Sequence, residues 1–312
     1  MATMTAILTT TPQTAAGNRR APALAAGATA ALIWAFYQVL THRGLSSGGF
    51  APLELTLFRF GLPGLLLLPI ALPIARREGQ RLGAWRLFAL ALVSGPLLGM
   101  STALGYRYAP LAHGAVLFPA STTLAGVLLS RWLLGAQQSR LQRVGLGLIV
   151  AGLLTVGGVL QSNLHRLIGD GLFLISGLLW GLYTVLLRRW QISGLHGAAL
   201  AGAGATLMTL ALYATLGEPA RLLQHPTAAL ATQVLFQGVL AGVVAVVAYG
   251  FAVQRLGAAN AALFPSSVPL LALLLGWLAF GATISTGQWL GLAITTIGLV
   301  LAAGWRPARR TA

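Results

Sequence analysis

In an apolar chain the chemistry rests on the few polar and aromatic side chains kept inside it, because each is costly there. Arg59 stands about 10 Å into an apolar stretch that opens at Pro52, at ~1.5 Å per residue. Its planar fork can hold a carboxylate or phosphate through two parallel hydrogen bonds. Capping backbone carbonyls or snorkelling to a surface is the structural alternative. Glu54, near the same boundary, is its expected partner. Trp34, Tyr37 and Gln38 form one aromatic and polar group, and Trp180 and Tyr183 repeat its Trp–Tyr spacing. A spacing of three puts each pair on one helix face. Such a face suits stacking on a flat or aliphatic solute, or anchoring at a membrane interface. LFPASTT (Leu117–Thr123) and LFPSSVP (Leu263–Pro269) set prolines beside hydroxyls. Pro119, Pro265 and Pro269 each lack a backbone donor and so free a carbonyl, which marks them as flexing points. Ser121, Thr122, Ser266 and Ser267 can donate to a solute or to those carbonyls. Tyr106, Tyr108 and Tyr249 are further pocket candidates. His113 offers proton exchange near neutral pH or a hydrogen bond to turn backbone. Asn260 sits at the matching later turn, and Asp170 reads as a cap at a helix N-terminus.

These residues sit in a chain of 312, 57% hydrophobic and 8% charged, where soluble domains run roughly 45–50% apolar and 25% charged. The charge is 20 basic against 4 acidic residues, +16 in all; every basic residue is arginine and there is no cysteine. Disorder, disulfide scaffolds, thiolate metal sites and cysteine nucleophiles are excluded. A membrane helix needs about 20 mostly apolar residues. Ten such stretches are present: Ala21–Leu40, Pro52–Ile74, Leu87–Tyr106, His113–Leu134, Val144–Leu160, Gly171–Leu187, Gly197–Leu216, Val234–Val253, Ala258–Phe280 and Trp289–Ala303. The expected fold is an all-α polytopic membrane protein with ten transmembrane helices, residues 1–20 as a flexible tail and 305–312 as a basic tail. With both termini cytoplasmic, fifteen arginines fall inside and four outside (Arg43, Arg107, Arg166, Arg221), leaving Arg59 within a span. That is the positive-inside pattern. The positive charge is thus a topology signal, the partner is the lipid bilayer of a bacterial inner membrane, and nucleic acid is not expected.

The chain also repeats itself. LIWAFYQVLTHR (Leu32–Arg43) and LLWGLYTVLLRR (Leu178–Arg189) share six of twelve residues at an offset of 146. At the same offset Ala115–Gly158 and Ala261–Gly304 share 17 of 44 without a gap, including LFP, Ser121/Ser267, Gly135/Gly281, Gln142/Gln288 and Gly152/Gly298. The second and seventh spans show no such match. The repeats are residues 21–160 and 170–304. Five spans per repeat is odd, so the halves lie in opposite orientations. Charge agrees: Arg131, Arg140 and Arg143 stand opposite Trp277, Thr286 and Trp289. Inverted five-helix repeats around a central site are the architecture of alternating access. The expectation is a secondary transporter exporting a small metabolite, an amino acid or drug-like solute, with a small-molecule substrate and no metal or cofactor. The alternative is a non-transporting intramembrane enzyme or scaffold. Catalysis is not expected, because five separate histidines and four boundary acids supply no catalytic pair or metal cluster. No acid lies deep in a span, so transport runs down a gradient or couples through an unusual group such as His113. Gly145, Gly147 and Ala151, with Gly287 and Gly291, give small-residue spacings for a homodimer face or for internal packing.

The order and spacing of three strings resemble the drug/metabolite transporter superfamily, in its EamA-type branch. LFRFGLPGLLLLPIAL (Leu57–Leu72) looks like that family's second helix. GDGLFLISGLLWGLYTVLLRR (Gly169–Arg189) looks like its sixth. RLGAANAALFPSSVPLLALLLGWLAFG (Arg255–Gly281) looks like its eighth-to-ninth turn and ninth helix. The resemblance covers about residues 23–304 and implies transport of amino acids, other metabolites or drugs, commonly outward. One departure is clear. Where the family often has Gly-Glu ending the fourth and ninth helices, this chain has Gly135-Ala136 and Gly281-Ala282.

Overall fold

A computed structural model describes residues 13–157, 163–192, 194–281 and 283–302. All regular structure in them is helical. The long helices are α1 (Gln13–Ser46), α2 (residues 52–82), α3 (Ala84–Tyr108), α4 (Leu111–Leu134), α5 (Arg140–Gly157), α6 (Leu164–Arg189), α7 (Gly194–Leu216), α8 (Thr227–Leu256), α9 (Leu263–Phe280) and α10 (Thr286–Ala302). Eight of these are long and apolar enough to cross a membrane; α10 is a shorter apolar helix, and α5 opens with Arg140 and Arg143. Two expectations shift. Residues 13–20, placed in the tail, are the first turns of α1. The expected span Ala258–Phe280 is a short turn, Ala258–Ala261, followed by α9. The expected ends at Leu160 and Ala303, Ala282, and the segments 1–12 and 303–312 lie outside the described residues.

Punctuation follows the sequence. Pro52 and Pro96 occupy first-turn positions, where a missing N–H costs nothing. Gly135 and Gly281, 146 residues apart, end α4 and α9 in the left-handed region, at φ 66° and 62°, which glycine adopts without steric penalty. Two helices widen to π geometry, α2 over Leu57–Gly61 and α8 over Val234–Val244. A π turn leaves carbonyls out of the regular ladder; in α2 the Phe60 carbonyl accepts a hydrogen bond from Thr206 Oγ1 at 2.7 Å.

Repeat mates pack on each other. A Cβ added at Gly152 would meet the Gly291 carbonyl oxygen at 2.8 Å, and one at Gly298 would meet the Gly145 carbonyl at the same distance. The pairs 152/291 and 145/298 exchange under the 146-residue offset, and α5 and α10 run antiparallel. These glycines are spent on internal packing, while Gly147 faces nothing within 4 Å. Likewise α2 and α7 cross antiparallel at Gly64, Gly202 and Thr206. Helix α1 packs on α8 and α9, and α6 packs on α3 and α4. Their C-terminal arginines are mates: Arg43 lies 4.5 Å from the Phe280 ring centroid, and Arg189 donates to the Leu133 carbonyl at 3.3 Å. Each half therefore inserts its first helix into the other half.

Three histidine–carboxylate pairs also join the halves. They are Glu54–His225 (3.1 Å), His113–Asp170 (2.7 Å) and Glu78–His196 (2.9 Å). The core forms three clusters, the smallest around Ile149 and Leu299 where α4, α5 and α10 meet. One cluster gathers α1, α3, α4, α6 and α9 around Val116, Phe173 and Leu273. A second gathers the end of α2, the start of α3, the end of α6 and the start of α7 around Leu82, Leu90, Ile192 and Leu200.

Candidate functional site

Three neighbours on α1 reach three different helices. Trp34 meets Tyr249 of α8 edge to face, with centroids 5.3 Å apart. Tyr37 meets Arg59 of α2, whose guanidinium carbon lies 5.2 Å from the Tyr37 centroid and 5.3 Å from that of Phe60. Buried Gln38 accepts a hydrogen bond from Tyr106 of α3 at 3.1 Å. Between these helices lies a narrow cleft, with a cavity volume of about 10 Å³, lined by Tyr37, Thr41, Leu55, Thr56, Arg59, Phe60, Gly99, Ala103 and Gln237. Its walls come from α1, α2 and α3 of the first half and α8 of the second. Both π segments contribute, Arg59 from one and Gln237 from the other.

Charge in the cleft is one-sided. Arg59 is half-buried and joins no ion pair among the described residues. Glu54, its expected partner, turns away from it. One carboxylate oxygen accepts from the Ala51 N–H at 2.7 Å and pairs with His225 Nε2 at 3.1 Å, beneath a Phe50 ring stacked 4.0 Å from His225. The reason is local: Pro52 starts α2, and Glu54 in its first turn accepts the Ala51 N–H, the carboxylate half of a capping box.

The second aromatic pair lies elsewhere. Trp180 and Tyr183 pack on each other, centroids 5.1 Å apart, inside the apolar cluster of Leu82, Leu90 and Ile192. The expectation of symmetric aromatic faces lining one pocket is corrected: Tyr37 and Tyr183 are mates, but one meets a guanidinium and the other meets leucines. Three of the four hydroxyls expected to donate to a solute bond backbone instead, while Thr122 Oγ1 is enclosed without a partner among the described residues. Ser121 donates to the Leu117 carbonyl at 2.7 Å, and the Phe118 and Phe173 carbonyls are also in reach. Ser266 donates to Ala262 and Ser267 to Phe264. Pro119 and Pro269 lie inside α4 and α9, and Pro265 lies in the first turn of α9.

The His113 side chain meets Asp170 rather than turn backbone, and Asp170 is no simple cap. The two face each other, both buried, with Nδ1 2.7 Å from Oδ1. Asn260 donates to the Leu256 carbonyl as a turn brace, and Tyr108 stacks near His165. Sequence reasoning missed Thr41, Thr56 and Gln237. Gln237 is buried and donates to Thr41 Oγ1 at 2.9 Å and to Gln233 Oε1 at 3.0 Å. The signal was available, since a glutamine four residues after another, at the mouth of and within an apolar span, is costly unless partnered. Outside the spans, Glu78 is held below the usual carboxylate range, first by its hydrogen bond with His196 and then by Arg81.

Known proteins share this plan. The model of the EamA-like transporter family matches twice, over residues 21–158 and 167–304, so the two matches also start 146 residues apart. The uncharacterized inner membrane transporter YedA of Escherichia coli strain K12 is 28% identical over 280 residues, covering 86% of this chain and 87% of YedA. Its counterpart in Escherichia coli O157:H7 matches equally. One crystal structure, 19% identical, superposes with a TM-score of 0.59 over 91% of this chain and 97% of its own, which shows a common fold. Two family matches that together span most of the chain decide the matter: this protein belongs to the EamA-like transporter family.

Proposed function

We propose that the chain is a secondary transporter of the bacterial inner membrane that exports a small metabolite by alternating access. In this reading α1 to α10 are ten crossings, two five-helix halves lie in opposite orientations, and both termini are cytoplasmic. The antiparallel crossings of α5 with α10 and of α2 with α7 support it, as do the parallel courses of α1 with α9 and α6 with α4. The observation that carries it is the cleft around Arg59, built by helices of both halves. Trp34, Tyr37, Gln38, Arg59 and Tyr249 then form the substrate site with Thr41, Thr56 and Gln237. Ser121, Ser266 and Ser267 brace the helices beside it, and Pro119, Pro265 and Pro269 let α4 and α9 flex.

The same reading assigns two closures. On the cytoplasmic side the cluster of Leu82, Leu90, Ile192 and Leu200 holds Trp180 and Tyr183, with Glu78–His196 beyond. On the outer side stand Glu54–His225 under Phe50, and His113–Asp170. Exchange of conformation between repeats would open one closure as the other seals.

Flux across proteoliposomes, screened over a metabolite panel, tests the proposal. At least one solute is expected to move, and Arg59→Gln and Trp34→Ala to slow it about tenfold or more, or ~1.4 kcal/mol. Trp180→Ala should change the rate without changing the preference among solutes. Flux unaltered in both Arg59→Gln and Trp34→Ala would place the site elsewhere. No flux of any solute would overturn transport itself.

A further inference from the structure

The charge of the solute can be read from what surrounds Arg59. We infer that the cleft takes a net anion: a small carboxylate with an apolar or aromatic body and no cationic centre. This rests on the cleft being the transport site.

Among the described residues no acid forms an ion pair with Arg59. Glu54 is held by Ala51 and His225, Glu78 by Arg81 and His196, and Asp170 by His113, while Glu218 sits in the loop beyond α7. The guanidinium touches the faces of Tyr37 and Phe60. Ring faces attract a cation but do not neutralise it. A half-buried positive charge with no counter-ion in the protein is stabilised by one that arrives with the solute. A second cation in the same cleft would meet Arg59 with no carboxylate to separate them, which disfavours amines and zwitterions.

Thr41 Oγ1 donates to the Tyr37 carbonyl, and Thr56 Oγ1 to the Pro52 carbonyl. The Gln237 amide donates to Thr41 and Gln233. Those protons are spent. Within the cleft lining the Arg59 guanidinium and the Tyr37 hydroxyl remain, and among the described residues neither donates to the protein. A planar fork beside one hydroxyl matches a carboxylate, whose two oxygens take parallel hydrogen bonds. The rest of the lining is Leu55, Phe60, Gly99 and Ala103, which offers an apolar body contact and no further polar group.

The test uses the full chain in nanodiscs and three probes of one shape: 3-phenylpropanoate, its primary amide, and phenylalanine, which adds an α-ammonium. Titration calorimetry should show the carboxylate binding at least about tenfold more tightly than either other probe, or ~1.4 kcal/mol. Arg59→Gln should erase that preference, and Arg59→Lys should keep part of it, because a point charge replaces the fork. The wild-type comparison stands even where a variant fails to fold. Equal or tighter binding of phenylalanine or the amide, no binding of the carboxylate, or carboxylate binding unchanged in Arg59→Gln overturns the inference. Its failure is separable from failure of transport. Arg59-dependent carboxylate binding without flux of any solute sinks transport alone. Flux of a neutral or cationic solute that survives Arg59→Gln sinks the anion inference alone.

Discussion

The crossing of α5 and α10 makes a quantitative demand on two glycines of one helix. Adding a methyl at Gly152 places it 2.8 Å from both the Gly291 carbonyl oxygen and the Thr295 amide nitrogen, and against the Thr295 hydroxyl. Two of these atoms are backbone and cannot rotate away. The helices must part until 2.8 Å becomes an ordinary contact of about 3.4 Å, an overpacking that costs about 1–3 kcal/mol. Alanine in place of glycine within a helix returns about 0.5–1 kcal/mol. Gly152→Ala is therefore expected to destabilise by about 1–2 kcal/mol. Gly147→Ala, with nothing within 4 Å, should give only the gain. Gly291→Ala meets the Gly152 carbonyl and the Val156 amide at 2.9 Å, so it should cost about as much as Gly152→Ala. The double variant should cost less than the two singles combined, since one separation relieves both contacts. Thermal inactivation in detergent, followed as a rate because such unfolding is commonly irreversible, orders the four proteins. Equal half-lives for Gly152→Ala and Gly147→Ala would refute the packing argument, and so would a double variant worse than the sum.

Other expectations concern the pairs between halves. His113→Leu leaves Asp170 buried without its partner and should cost about 3–5 kcal/mol. Replacing both by leucine should cost less, and thermal denaturation of the three proteins checks the order. Glu78 gives a pH signature. Its native carboxyl lies below the usual range through His196 and then Arg81. The stability it contributes is full above the ordinary glutamate range and fades as pH falls through the depressed value. Glu78→Gln should flatten that acid limb, and a thermal midpoint measured from neutral into acid pH would show an unchanged slope if the pair does not matter.

Much of the fold was legible because a bilayer imposes a simple rule: every backbone group must be paired within its own segment. Helices follow, and their apolar length announces them. The offset of 146 was equally open to reading, and it returns in the contacts of Gly145, Gly152, Gly291 and Gly298. The candidate site was half legible. The cost of a polar side chain in an apolar span singled out Arg59, Trp34, Tyr37 and Gln38, all of which gather around one cleft or its border. The same rule also picked Ser121, Ser266 and Ser267, whose protons go to carbonyls three or four residues back. A hydroxyl satisfied within its own helix and one facing a cavity look alike in a string.

Sequence by itself determined the helices, their duplication and the short inventory of groups able to do chemistry, because those depend on local composition and spacing. Tertiary structure alone decided which of those groups meet. Tyr37 and Tyr183 occupy matching strings, yet only Tyr37 faces a guanidinium, since α2 brings Arg59 and its counterpart α7 brings leucine and alanine to the other tyrosine. The three histidine–carboxylate pairs join residues 57, 118 and 171 positions apart, separations that leave no periodic trace. An ion pair depends on where two helices cross, and crossing is settled by the small residues that let backbones approach, not by the charged residues themselves.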